Sequence, residues 1–203
     1  MILAIDTSTG ACSAALFGDD GACLARRDEL IGRGHSERLV PMLDELLEGR
    51  KAKRIVVGVG PGSFTGIRVG IAAAHGLAIG WDAELAGMSS LALLAAGEGR
   101  SGPIAAALQG GHGELFVQQF DGDPLEAQTP LLNLPPTEAA KRISADLVAG
   151  SGAQALVAAR GHGEAVEAWP SAANALALPE EFRTLAPKPL YARAPDAKAR
   201  EAA

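Results

Sequence analysis

Short apolar runs punctuate this chain, each closed by a polar or glycine-rich turn. Ile2-Leu3-Ala4-Ile5 is continuously apolar and ends at Asp6-Thr7-Ser8-Thr9-Gly10. A run of that length bounded by turn residues predicts a buried strand. Ala11 to Phe17 and Ala22 to Arg27 predict two further strands around the acidic turn Gly18-Asp19-Asp20-Gly21. The period then changes. Leu39, Val40, Met42, Leu43, Leu46 and Leu47 fill one arc of a helix, with Glu37, Arg38, Asp44, Glu45 and Glu48 opposite. Ser36 is the expected N-cap and Gly49 the stop.

Next come an apolar run (Ile55 to Val59), the turn Gly58-Val59-Gly60-Pro61-Gly62-Ser63-Phe64-Thr65-Gly66-Ile67-Arg68-Val69-Gly70 and a helical stretch over 66–80. Gly60 and Gly62 suit positive φ, and Ser63 or Thr65 can cap the helix. Free amides at such a helix start suit an anion, so a functional loop and a structural connection are both open. The helix is apolar nearly all round. Gly66, Gly70, Ala73 and Leu77 share one side, shallow enough for close approach, while Arg68, Ala72, His75 and Ile79 share another. A covering partner and a central position within one chain both explain the missing polar stripe.

A strand at Glu84–Met88 and a helix capped by Ser89 or Ser90 lead to the linker Gly97-Glu98-Gly99-Arg100-Ser101-Gly102-Pro103. The boundary is expected there, giving an N-terminal lobe over 1–100 and a C-terminal lobe with an extended tail over 101–203. The second lobe repeats the opening: strands at Ile104–Leu108, Glu114–Phe120 and near Ala127–Leu132. A helix at about 136–142, a strand at 146–150 and helices at 152–160 and 172–176 complete it. The lobes therefore read as versions of one plan.

Composition narrows the function. The 203 residues are 48% hydrophobic and 21% charged, with a net charge of −6. An acidic chain whose one basic run is Arg50-Lys51-Lys53-Arg54 does not grip nucleic acid by itself. In the expected hairpin Cys23 faces Leu16, too far from Cys12 for a disulfide, so two unpaired buried thiols in a reducing cytosol are expected. The N-terminus carries no basic leader, and no stretch is long and apolar enough for a confident membrane span. A cytoplasmic protein with no membrane contact follows.

Candidate chemistry is sparse. His35, His75, His112 and His162 are isolated, without the spacing of a metal site; His35 reads as a capping or loop residue. Ser63 sits beside a glycine turn, but Gly-x-Ser-x-Gly is absent. Asp6 stands at a strand end beside three hydroxyls, and Asp6, Thr7, Ser8 and Thr9 either bind a nucleotide or satisfy their own turn.

The opening strand, Asp-Thr-Ser-Thr turn and hairpin resemble the start of the actin, sugar-kinase and Hsp70 fold. Ile2–Thr9, His35–Pro41, Gly58–Gly70, Gly76–Ala78 and Pro189–Lys198 together resemble the TsaB (YeaZ) family, the long GPGSFTGIRVG stretch being the most specific. That resemblance implies an α/β actin-like ATPase (ASKHA) fold of two ribonuclease-H-like lobes. It implies a non-catalytic subunit of the bacterial machinery that forms N6-threonylcarbamoyladenosine in tRNAs reading codons that begin with A. The implied partners are the catalytic subunit TsaD and the ATPase TsaE, with tRNA met only through the complex and self-association in isolation. Pairing is implied through the two helices of the first lobe, which makes His35, Leu39, Met42, Leu43, Leu46, Arg68, Ile71, Ala72, His75 and Ile79 the candidate interface. No resident cofactor and no metal are expected, with ATP or ADP at a subunit interface left open. The sequence departs from many relatives at Gln109-Gly110-Gly111-His112-Gly113, where they carry a charged turn. An actin-like ATPase or phosphotransferase is the alternative reading.

Overall fold

Strand β1 (Ile2–Asp6) is the centre of a five-stranded sheet in the computed structural model, which describes residues 1–99 and 102–190. β2 (Ala11–Phe17) pairs with it antiparallel, and β3 (Cys23–Leu30) pairs with β2. The chain crosses through α1 (His35–Leu47) to β4 (Arg54–Gly60), parallel to β1, and through α2 (Phe64–Trp81) to β5 (Glu84–Ser89), parallel to β4. The strand order is β3-β2-β1-β4-β5. α3 (Ser90–Gly97) then leads to the second sheet.

That sheet contains β6 (Ile104–Gln109), β7 (Leu115–Asp121), β8 (Glu126–Ala127), β9 (Leu132–Leu134), β10 (Leu147–Ala149) and β11 (Glu164–Val166). α4 (Pro136–Ala139) and α5 (Ala153–Arg160) flank β10 in sequence, and α6 (Glu180–Arg183) packs on β5. The order β11-β10-β6-β7-β8, with β9 also on β7, repeats the first sheet: an antiparallel meander on one side of the central strand, parallel strands on the other. Two mixed α/β lobes of this order make the actin-like ATPase fold with ribonuclease-H-like halves.

Period-two patterning builds the cores. Leu3 and Ile5 of β1 face α1 and α2, where Leu39, Met42, Leu46 and Ile67 join them. Ala4 faces the other way, into a core around α3 shared by both sheets, with Leu91, Leu94, Ile104 and Phe120. Ala105, Ala107 and Val117 bury the far face of the second sheet with Ile143 and Leu156.

Several expectations change in detail. The hairpin register shifts between Leu16 and Phe17, so Phe17 faces Cys23 and Leu16 faces Ala25. Cys12 is buried, but Cys23 is exposed because β3 is an edge strand with one open side. α1 starts two residues earlier than a Ser36 cap predicts: Gly34, at φ 91°, is the N-cap and supplies no side chain. The third strand of the second lobe is split into β8 and β9, and the helix expected over 136–142 ends at Ala139. Residues 191–198 of the tail and Arg100 and Ser101 of the linker lie outside the described residues.

The last part of the chain returns to the first sheet. A 3₁₀ turn at Ala172–Ala177 packs on β1, β2 and β3. The Ala172 N–H donates to Ser13 Oγ at 2.6 Å, while Ser13 and Ser171 both donate to Asp28 Oδ1, at 2.6 and 2.8 Å. Leu185 exchanges backbone hydrogen bonds with Gly87 of β5, and the Leu190 N–H donates to the Val59 carbonyl.

Candidate functional site

The Asp6–Thr9 turn and the glycine stretch form one unit. Asp6 Oδ1 accepts the Ser8 N–H at 2.9 Å and the Ser8 hydroxyl at 2.8 Å, and Oδ2 accepts the Ser90 hydroxyl at 2.7 Å. Burial pushes the Asp6 carboxyl above its ordinary pKa, against the opposing pull of the Ser90 and Ser8 hydrogen bonds. β4 passes so close that a Cβ on Gly58 would stand 2.0 Å from Asp6 Oδ2. Thr7 Oγ1 donates to the Gly66 carbonyl at 2.8 Å, and the Ser8 carbonyl accepts the Ser63 N–H at 2.6 Å.

The glycines therefore have a purpose inside the chain. A Cβ on Gly66 would lie 2.1 Å from the Thr7 carbonyl oxygen, and one on Gly70 2.4 Å from Thr7 Oγ1. Both are buried, so their close approach is to the chain's own turn rather than to a partner. Ser63 caps α2 by accepting the Gly66 N–H at 3.2 Å, as its position predicts. Asp6, Thr7 and Ser8 are enclosed, with at most 1% of each exposed. Both Asp6 oxygens are committed to hydroxyl and amide donors. Among the described residues, no group of three or more His, Cys, Asp or Glu side chains could hold a metal.

The expected interface divides into two sets. Leu39, Met42, Leu43, Leu46 and Ile71 sit in the first core, and His35 is buried with Nε2 donating to the Ala11 carbonyl at 3.2 Å. Leu39, Met42, Leu46, Ile71 and His35 are corrections to the expected surface: they anchor α1 and α2 from beneath, since the inward arc of an amphipathic helix is used by its own sheet, whereas Leu43, though buried, also lines the groove between the two helices. Arg68, Ala72, His75 and Ile79 do form an exposed stripe along α2, and Ile79 is 83% exposed. Arg68 stacks 3.6 Å over the Phe64 ring, and His75 Nε2 reaches the Pro187 carbonyl at 3.4 Å. Beside the stripe, a groove of about 530 Å³ runs between the helices, walled by Val40 and Leu47 of α1 and by Ala73, Leu77 and Trp81 of α2. Gly76 opens it; a Cβ there would meet nothing within 4 Å. Val40 and Trp81 escaped the sequence reading as interface residues, although Val40 belongs to the apolar arc; it is 62% exposed.

A second cavity, about 520 Å³, lies in the cleft between the sheets. Ser8 and Thr9 reach it from the first lobe, and Gln109 and Ser151 from the second. Trp169 and Phe116 also line it. Trp169 falls in the stretch 161–183, whose lack of periodicity hid it from sequence reasoning. Among the described residues, no helix is long and apolar enough to cross a membrane.

Comparison with known proteins places this geometry. A family model described as TsaD, tRNA N6-adenosine threonylcarbamoyltransferase, matches residues 28–127. The tRNA threonylcarbamoyladenosine biosynthesis protein TsaB of Escherichia coli is 38% identical over 130 residues, 60% of this chain and 55% of that protein. Its Bacillus subtilis namesake is 33% identical over 141 residues, 66% of this chain and 61% of that protein. The chain thus aligns with little more than half the length of these curated relatives. Among solved structures, YeaZ from Pseudomonas aeruginosa superposes with TM-score 0.77 at 29% identity, covering 94% of this chain and 98% of that one. A second structure, described as an uncharacterized protein with similarity to peptidase YeaZ from Pseudomonas aeruginosa, gives TM-score 0.75 at 30% identity, over 95% of this chain and 99% of that one. With the identity spread over nearly the whole of both chains, the chain belongs to the TsaB (YeaZ) family.

Proposed function

We propose that the protein is a non-catalytic pairing subunit in the formation of N6-threonylcarbamoyladenosine in tRNA, docking through α1 and α2 onto a TsaD-type catalytic subunit. The observation that carries this reading is the outer face of α2. Its exposed stripe contains one fixed charge, Arg68, beside an apolar groove open at Gly76. Ala72 and Ile79 are exposed among the described residues, and an apolar helix face of this kind is the mark of a partner site. Burying Ile79 alone would contribute roughly 1.5–3 kcal/mol to association. The names borne by the relatives support the pathway, and the family resemblance supports TsaD as partner, TsaE as a further member of the assembly and self-pairing through the same face. Contact with tRNA then comes through the assembled complex.

A peptidase role finds no support at Ser63, whose hydroxyl caps α2. An ATPase role finds none at Asp6, whose carboxylate is walled in by β4 and α3. The test is co-purification with TsaD. Ile79→Glu and Ala72→Arg are expected to abolish pairing while leaving the thermal midpoint unchanged, and to abolish threonylcarbamoyl transfer in the reconstituted system. Pairing undiminished in both variants would sink the assignment.

A further inference from the structure

β3 ends one side of the first sheet and, among the described residues, pairs only with β2, so its outer edge is open along 8 residues. An edge of this length is a template for another strand. It lies across the sheet from β4 and β5, on which α2 and its pairing face rest. From Leu24 onward the side chains alternate between the two sides of the sheet. Ala25, Arg27 and Glu29 stand on the side of α1: Ala25 packs against the first core, and Glu29 pairs with Arg38 at 2.6 Å. Leu24, Arg26, Asp28 and Leu30 stand on the side of the 3₁₀ turn, where Asp28 Oδ1 accepts the Ser13 and Ser171 hydroxyls. Leu24 is 49% exposed and Leu30 65%.

The order of residues along this edge is complementary to itself. Antiparallel pairing of two copies about a two-fold axis through Arg27 keeps the α1 sides together and the turn sides together. It sets Arg26 opposite Asp28 of the second copy and Leu24 opposite Leu30 of the second copy, each pair occurring twice. Cβ atoms directly opposite approach to about 5 Å, so both kinds of pair make contact. The two hydroxyls on Asp28 go to Oδ1, which leaves Oδ2 for the guanidinium. Sliding the register by two residues puts either Asp28 or Arg26 opposite its own copy and parts the leucines. Asp28 is short and pinned by its two hydroxyls, so a facing Asp28 could not move away. Arg27 is the like-charged pair in the favoured register, but its side chain is long and has the Glu29 and Glu45 carboxylates beside it to turn towards.

We propose that β3 is a self-association surface separate from the helical face: two copies join edge to edge, in the register centred on Arg27, and their two five-stranded sheets become one continuous sheet. The contact does not use α2, so it stands or falls apart from the pairing role. The test uses the full chain carrying Ile79→Glu, which keeps self-pairing through α2 from contributing. Sedimentation equilibrium should show monomer and dimer with a Kd on the order of 10–100 µM, as befits a small interface. Arg26→Glu sets acid against Asp28 in both pairs and should weaken association at least about fivefold. Arg27→Thr removes the like charges on the axis and should strengthen it about threefold. Under mild oxidation Arg27→Cys should cross-link to its own copy, because residues facing each other across the axis have Cα atoms about 4.5–5.5 Å apart, within disulfide reach. Leu24→Cys and the native Cys23 should not, since each lies roughly 20 Å or more from its own copy. A chain that stays monomeric well above that Kd overturns the proposal, including where the edge takes a strand from another protein instead. So does association unchanged by Arg26→Glu, or cross-linking through Leu24→Cys in place of Arg27→Cys.

Discussion

Replacing Gly66 by alanine tests how α2 is seated. The new Cβ would stand 2.1 Å from the Thr7 carbonyl oxygen, a separation that no relaxed structure tolerates. The obstacle is backbone, in a turn pinned by Asp6 and Ser63, so the helix must lift by about 1 Å. Overpacking of this kind costs about 1–3 kcal/mol. Lifting also breaks the bond from Thr7 Oγ1 to the Gly66 carbonyl, worth about 1 kcal/mol. The better helix propensity of alanine returns about 1 kcal/mol, so Gly66→Ala should destabilise by roughly 1–3 kcal/mol. Gly76→Ala is the matched control, since it lies in the same helix with nothing within 4 Å of the new Cβ. It should stabilise by up to about 1 kcal/mol. Urea denaturation of both, at concentrations where the chain is monomeric, should separate them by about 1–4 kcal/mol, or up to the order of 10 °C in Tm. Equal midpoints, or a more stable Gly66→Ala, would refute the view that these glycines seat α2 on the Asp6–Thr9 turn.

Other outcomes follow from single side chains. Asp6 has its pKa raised in the fold, so its contribution to stability is full below the ordinary carboxylate pKa and is lost as pH rises through the raised value; Asp6→Asn should gain on the unaltered protein as pH increases from about 4 to 7 in a Tm-against-pH series. Glu29 and Glu45 run the other way: Arg38 holds both below their ordinary values, so their contribution is present above the ordinary pKa and lost as pH falls, and Arg38→Met should flatten the acid limb between roughly pH 5 and pH 3. Ser13→Ala strands the buried Ala172 N–H and should cost about 1–3 kcal/mol by chemical denaturation. The Cys12 thiol, pushed up to about 11 by burial first and the Glu29 charge second, should resist iodoacetamide at neutral pH while exposed Cys23 reacts; mass spectrometry should find one label per folded chain and two after unfolding.

Much of the fold was legible because its signals are local. β1, β2 and β4 are buried runs ending in turn residues, α1 has a clean amphipathic period, and the second meander repeats the first. The sequence could also single out the stripe Arg68, Ala72, His75 and Ile79, since four residues at helical spacing must share a face. It could not assign the inward arc. Leu39, Met42 and Leu46 have the same apolar character whether they meet a partner or the sheet beneath, and only the sheet's position decides. The glycines posed the same difficulty: Gly66 and Gly76 read alike, yet one touches a carbonyl and the other opens a groove. Trp169 and Ser151 were invisible as neighbours because the cleft is made by parts of the chain far apart in sequence.

The bond from Ala172 to Ser13 joins positions 159 residues apart. During synthesis the first lobe emerges long before the segment that covers it. Until residues 171–177 arrive, Asp28 and the exposed side of β1 to β3 lack their lid, and the nascent lobe presents bare apolar surface beside an open strand edge. Vectorial folding of this chain therefore has a late closing step, and a chain arrested before Ser171 should be held by chaperones rather than released as a finished lobe.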